Sequence, residues 1–290
     1  MHSKSLSWSI LIILSVVWGS SFILMKRGLD AFSSDEVAAL RISIAFLFLL
    51  PFQFKYYKID LKKYFLGIVL MSVFGNLIPA FLFTKAETHI SSSLAGMLNA
   101  LTPIFTVLIS LFWLKIKTSS KQIFGILVGF IAAVCLLFFE TGNNKFQNIM
   151  FGLLVVIATI CYAISLNGIK KYLCDLNSIK ATVWSFSVIG PFALVYLFGF
   201  TQFTTHLYTH PKALSSLGYV CVLAIIGSAL SVIIFNLLIK KAGTVFASSC
   251  TYLIPVVAVT LGYFIGETIN LIQVTSVLVI ILSVYLINRH

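Results

Sequence analysis

Apolar runs, each about 20 residues long, recur along the chain with only short polar breaks between them. They fall at residues 8–27, 35–54, 65–84, 91–113, 121–139, 151–171, 179–200, 214–237, 244–265 and 271–288. A helix of that length matches the thickness of a bilayer's hydrocarbon core. Lipid offers no water to the backbone, so each run is expected to be a helix that satisfies its own N–H and C=O groups. The short alternating strands of a membrane barrel are not visible. The chain of 290 residues is 60% hydrophobic and only 10% charged, with a mean hydropathy of +1.06. A soluble domain carries about 25% charged residues. The expectation is an all-α integral membrane protein of ten transmembrane helices, with no soluble domain. Its work must then be done inside the bilayer or in short connections.

The net charge of +12 invites a nucleic-acid reading, but the basic residues lie in loops between spans. No basic face interleaved with aromatics is present, so no nucleic-acid partner is expected. Lys and Arg placement instead orients the spans. With a cytoplasmic N-terminus, fourteen of the 20 fall inside, while Lys26, Arg27, Lys85, Lys145 and Lys212 fall outside and Arg41 lies within a span. Both termini are therefore expected in the cytoplasm of a cell-membrane protein. The first run follows Lys4 as a signal peptide would, but it is about 19 residues long and lacks a small-residue cleavage site, so it reads as a span. Four of the five cysteines (Cys135, Cys161, Cys174, Cys221 and Cys250) lie in spans and none forms a CxxC pair, so they read as packing residues.

An internal repeat is legible. Residues 18–29, WGSSFILMKRGL, align with 162–173, YAISLNGIKKYL, pairing Trp18 with Tyr162, Ser21 with Ser165 and Lys26-Arg27 with Lys170-Lys171. At a slightly different offset Arg41 falls over Trp184. Further on, 83–93 matches 239–249, and LTPIFTVL at 101–108 matches LIPVVAVT at 253–260, placing Pro103 over Pro255. Each half, 1–145 and 146–290, holds five of the expected spans. Five is odd, so the second half must enter the membrane from the opposite side, giving inverted repeats. Two kindred bundles of opposite orientation can exchange conformations, which is the architecture of alternating-access carriers.

These features resemble the drug/metabolite transporter superfamily in its ten-helix EamA branch. The resemblance is carried by Trp18-Gly19-Ser20-Ser21-Phe22, Ala39-Leu40-Arg41, Ala247-Ser248-Ser249, Pro255 and Gly266-Glu267. It covers essentially the whole chain and implies a carrier of small organic solutes, whose relatives move amino acids, drugs, nucleosides and other metabolites. One departure stands out. The fourth span of that family usually ends in an acidic residue, as Glu267 does in the ninth, but here the position is Lys115.

The candidate solute-binding residues are Trp18, Ser21, Arg41, Asn99, Tyr162, Ser165, Trp184, Thr251 and Tyr252, with Asn76, Asn167 and Asn236 as further candidates. Trp18 lies too deep for an interfacial belt. A proline inside a span removes one backbone bond and crowds the carbonyl a turn earlier. Pro103 and Pro255 would thus expose the carbonyls of Asn99 and Thr251 near mid-membrane and act as hinges, unless they merely bend their helices. Arg41, about 9 Å from the outer end of its span, would attract a carboxylate or phosphate if it faces a cavity, or else snorkel or pair with Asp35 or Glu36. Serines can equally bond back to their own helix. No Asp or Glu falls at mid-depth, which favours a facilitator or exchanger; Glu87 and Glu267 are the nearest relay candidates. Gly125/Gly129 and Gly262/Gly266 form GxxxG pairs suited to close packing, and the first pair also suits a homodimer contact. His206 and His210 have helical i,i+4 spacing but no Cys or carboxylate neighbour in sequence, so no metal site is expected.

No nucleophile motif, metal motif or phosphate loop is found, so no catalytic residue and no cofactor is expected. The expected function is a secondary transporter of amino acids or amphiphilic metabolites, moving them outward. A channel or scaffold is the alternative. An intramembrane lipid-modifying enzyme would need an acidic or His cluster at membrane depth, which is missing.

Overall fold

The computed structural model describes residues 2–115, 120–138, 145–248 and 250–288. The helices, in chain order, are α1 (His2–Gly28), α2 (Ser34–Tyr56), α3 (Leu61–Ser72), α4 (Ile78–Glu87), α5 (Ser92–Asn99), α6 (Thr102–Leu114), α7 (Ser120–Phe138) and α8 (Lys145–Tyr172). They continue with α9 (Ser178–Phe200), α10 (Phe203–Thr209), α11 (Ala213–Val222), α12 (Ser231–Ser248), α13 (Cys250–Phe264) and α14 (Leu271–Asn288). Two π-helical segments, Val73–Leu77 and Leu223–Leu230, join α3 to α4 and α11 to α12. No strand occurs among the described residues. Seven helical stretches are long and apolar enough to cross a membrane, and the apolar helices Gln122–Phe138, Leu253–Phe264 and Leu271–Ser283 are shorter.

Short polar residues start the helices, because the first N–H groups of a helix have no partner within it. Ser33 and Glu36 form a reciprocal capping box at α2, Asp60 accepts from the Lys63 N–H at α3, Ser91 from Leu94 at α5, and Asn177 from Ile179 and Lys180 at α9. Between α13 and α14 the chain turns at Gly266, whose φ of +89° suits glycine.

The helices pack in pairs: α2 against α9, α7 against α14, α1 against α13 and α11–α12, and α8 against α3–α4 and α5–α6. Leu94, Met97, Leu98, Ile104, Val155 and Ala158 are among the fully buried side chains of the largest cluster. Gly129 sits where α7 meets Ile104 of α6 and Ser283 of α14, and a Cβ there would lie 2.3 Å from Ile104. Phe112, Phe124, Ile131, Phe192 and Val195 remain exposed on the periphery. A large exposed apolar perimeter of this kind is what acyl chains require.

The two ends of the bundle are tied differently. At one end Lys26 Nζ donates to the Glu87 carbonyl at 2.6 Å, Ser216 Oγ donates to the Arg27 carbonyl at 2.8 Å, and His206 Nδ1 on α10 lies 2.9 Å from Glu36 Oε2. Glu267 accepts from the Ser92 N–H at 2.8 Å and from the Ser93 N–H at 2.9 Å, and takes the Ser93 hydroxyl as well. At the other end Lys63 and Tyr64 meet Asp175, Lys180 Nζ donates to the Lys58 carbonyl, and Lys171 lies over the Trp113 ring. The helix α10 occupies what the sequence assigned to a loop, and it brings His206 to a carboxylate that is distant in sequence.

Candidate functional site

The two π-helical segments both contribute to the wall of one cavity. An i→i+5 turn leaves carbonyls misaligned with the ladder, and polar side chains take them. Asn76 Nδ2 donates to the Met71 carbonyl at 2.9 Å, five residues back, and Ser228 Oγ donates to Leu223 over the same interval at 3.3 Å. Ser231 Oγ repeats the pattern with Ile226 at 2.6 Å. Both segments border a cavity of about 160 Å³, which Gly75, Asn76, Gly227 and Ser228 help to line. A cavity of that size holds several waters and suits one small organic solute. At Gly75 the helices come close: a Cβ there would lie 2.5 Å from Ser165 Oγ and would displace that hydroxyl.

Of the residues singled out from sequence, Trp18, Ser21, Arg41, Asn99, Tyr162, Ser165 and Thr251 all border this cavity, as do Asn76 and Asn236. Trp18 Nε1 donates to the Gly227 carbonyl at 3.1 Å, and its ring meets Phe235 edge-on at 4.9 Å. Tyr162 stacks on Phe83 at 5.9 Å, and Phe22 lies 5.7 Å from the same ring, so three aromatic rings close one side of the cavity. Arg41 Nε donates to Ser228 Oγ at 2.8 Å, and its guanidinium lies beside Tyr162. Among the described residues no acidic side chain lines the cavity. Arg41 therefore supplies a positive field in an otherwise apolar and amide-lined space. Ser21 Oγ is bonded to the Val17 carbonyl of its own helix at 2.8 Å, leaving an oxygen to accept a further bond.

Other candidates lie elsewhere. Trp184 Nε1 donates to the Tyr56 carbonyl at 3.2 Å, at the Lys63–Asp175 end, and Trp184 packs beside Ile68 and Met71. Asn167 is buried with its amide donated to Thr106 and Ala163 carbonyls. The side chain of Tyr252 lies outside the described residues, as does Ser249. Pro103 and Pro255 do not border the cavity. At Pro103 the helix breaks, α5 ending at Asn99 and α6 starting at Thr102, and the Thr102 hydroxyl takes the Asn99 carbonyl at 2.8 Å. Pro255 lies within the continuous helix α13.

Reasoning from sequence missed Ser228 and Gly227, because a π turn has no breaker residue to announce it. It also missed that Glu87 is fully buried, with both carboxyl oxygens lacking a hydrogen-bond partner among the described residues. Its position at the end of α4 suggested an interface residue, but α1, α2, α5 and α8 pack around that helix. No group of three or more His, Cys, Asp or Glu that could hold a metal occurs among the described residues.

Outside the spans, Asp175 is held below the usual carboxylate range by hydrogen bonds from Lys63 and Tyr64.

Comparison with known proteins converges on one group. The sequence matches the EamA-like transporter family over residues 6–138 and 150–289. It is 26% identical over 279 residues to the uncharacterized transporter YyaM of Bacillus subtilis, covering 93% of this chain and 89% of that protein. It is 25% identical to the uncharacterized inner membrane transporter YedA of Escherichia coli K12, with 95% and 88% covered. A probable amino-acid metabolite efflux pump of Salmonella typhimurium is 26% identical, with 93% and 91% covered. A solved crystal structure at 14% identity superposes with a TM-score of 0.66, covering 97% of this chain and 96% of that one, which bears on the fold alone. With its apolar helices and a family match spanning nearly its whole length, this is a multi-pass membrane protein, and the chain belongs to the EamA-like transporter family.

Proposed function

We propose that the protein is a carrier that moves small amphiphilic metabolites bearing a carboxylate, amino acids foremost, out of the cell by alternating access. The observation that carries this reading is the cavity, with one guanidinium, five aromatic side chains and amide groups but no acidic residue among the described lining. Arg41 binds the carboxylate, as guanidinium does best. Phe83, Tyr162 and Trp18 hold the apolar body, while Asn76, Asn99 and Asn236 offer carbonyl oxygens to an amine. Ser21, Ser165 and Thr251 complete the wall. The efflux-pump name of one relative supports amino-acid metabolites as the class.

Residues 1–145 and 146–290 act as inverted five-helix repeats. Packing supports this: α1 meets α11–α13 much as α8 meets α3–α6, and the two π segments fall at equivalent places. Both termini lie in the cytoplasm, at the end rich in Lys. The end tied by Glu267, Lys26 and His206 then faces outward and is closed, while Ile169, Phe235 and Asn236 carry the cavity toward the cytoplasm. Opening at the outer end requires those ties to part.

Flux into proteoliposomes, measured with labelled L-phenylalanine, L-leucine, L-threonine and uridine, tests the reading. Saturable uptake with counterflow identifies a carrier rather than a channel. Movement of none of the four counts against it. Arg41→Gln abolishes transport of the amino acids, and Trp18→Ala and Tyr162→Ala impair it with membrane insertion intact. Comparison of right-side-out with inverted vesicles gives direction. Cysteine labelling at positions 26 and 170 from the same compartment would remove the inverted-repeat geometry.

A further inference from the structure

Glu87 is the last residue of α4, is 0% exposed, and neither carboxyl oxygen has a hydrogen-bond partner among the described residues. Burying an unpaired carboxylate is costly. The helix C-terminus adds its negative dipole end to that cost. A cation is close at hand, yet it is engaged elsewhere: Lys26 Nζ donates to the backbone carbonyls of Glu87 at 2.6 Å and of Ile90 at 3.3 Å. The carboxyl lies one helical turn beyond Phe83, on the same face of α4, and Phe83 is one of the rings that close the cavity.

The charged side chains that act on Glu87 are Lys26 from α1, Arg41 from α2 and Glu267 from beyond α13. Among its neighbours in sequence, Lys85 is exposed, and His89 is exposed and stacked on Phe151. Tyr162, from α8, stacks on Phe83.

We propose that Glu87 is a proton-binding site coupled to the solute, so that one proton and one solute carboxylate cross together, outward where the solute's own gradient exceeds the opposing proton gradient. The proposal rests on reading the cavity as a carrier site centred on Arg41. In the conformation described here the carboxyl is the neutral acid. When α1 and α5 part at this end, water reaches it, the O–H bond breaks, the proton passes to water, and the carboxylate left behind pairs with the Lys26 ammonium. A solute carboxylate at Arg41 neutralises the cationic field that would otherwise favour the ionised form. Proton and solute therefore reinforce each other's binding, and reciprocally. The pair crosses with the solute's carboxylate charge balanced.

Two measurements test this. The first is labelling with dicyclohexylcarbodiimide, which attacks protonated carboxyls in apolar surroundings, followed by mass spectrometry. At neutral pH the wild-type protein is expected to carry the adduct on Glu87; no adduct there overturns the proposal, whatever the cargo. The second compares gradient-driven with counterflow uptake of L-phenylalanine in proteoliposomes. A gradient of one pH unit drives up to about tenfold accumulation per coupled proton. Glu87→Gln, which mimics the neutral acid, is expected to keep counterflow and lose the gradient response entirely. A wild-type gradient response in that variant overturns the proposal. If wild-type protein moves none of the four probes, the carrier reading falls, and the labelling measurement still decides the proton site.

Discussion

The two proline-bearing units, α5–α6 and α13, are alike in sequence and unlike in structure. The first breaks between Asn99 and Thr102, while the second runs unbroken through Pro255. The difference lies in the residue before the proline. Thr102 gives its hydroxyl to the carbonyl that Pro103 strands, whereas Ile254 has no hydroxyl to give. Tight turns, with the Ala100 N–H on Met97 and the Leu101 N–H on Leu98, hold the break. The units also differ at their ends. Glu267, just after α13, caps the start of α5, but α6 is followed by Lys115, which has no carboxylate to return. A proline's effect is thus decided by the donors around it, and a repeat in sequence does not enforce a repeat in hydrogen bonding.

The largest effect that would break this contrast comes from Glu267→Ala. It leaves the Ser92 and Ser93 N–H groups, both in buried residues, without their partner. Loss of about 2 kcal/mol is expected, read as a lower melting temperature in detergent, with Glu267→Gln falling between the two. Thr102→Val comes next, at about 1 kcal/mol, because it strands the Asn99 carbonyl. Lys115→Glu, which restores symmetry of charge between the units, should shift stability by no more than about 0.5 kcal/mol. Smallest is the pH effect at the Lys-rich end. Asp175 is held ionised below its ordinary range, so its contribution is present above that range and fades as pH falls through its lowered native value. Melting curves of the wild type and Asp175→Asn should differ slightly near neutrality and converge in acid.

Seven spans were legible because lipid demands long apolar helices, and most of the cavity's polar residues were legible because hydroxyls, amides and a guanidinium are conspicuous in such helices. What stayed hidden follows from geometry. Depth counted along a helix places Glu87 near an end, but says nothing of the neighbours that cover it. Trp184 pairs with Arg41 in the alignment, yet it reaches the Tyr56 carbonyl at the far end. Pro103 and Pro255 share a register, but the break depends on a hydroxyl one residue away. The π segments carry ordinary residues, VFGNL and LAIIGSAL, and only the i→i+5 bonds of Asn76 and Ser228 reveal them.

Each π segment holds its helix slightly underwound, with a surplus of about one residue relative to regular α geometry. Such a surplus is portable. Absorbing it into the α-helical ladder would swivel everything beyond by about 100°, without unfolding a turn or lengthening a loop. Asn76 and Ser228 sit within these segments, so a local rewinding would sweep an amide and a hydroxyl away from the hollow and present different side chains in their place.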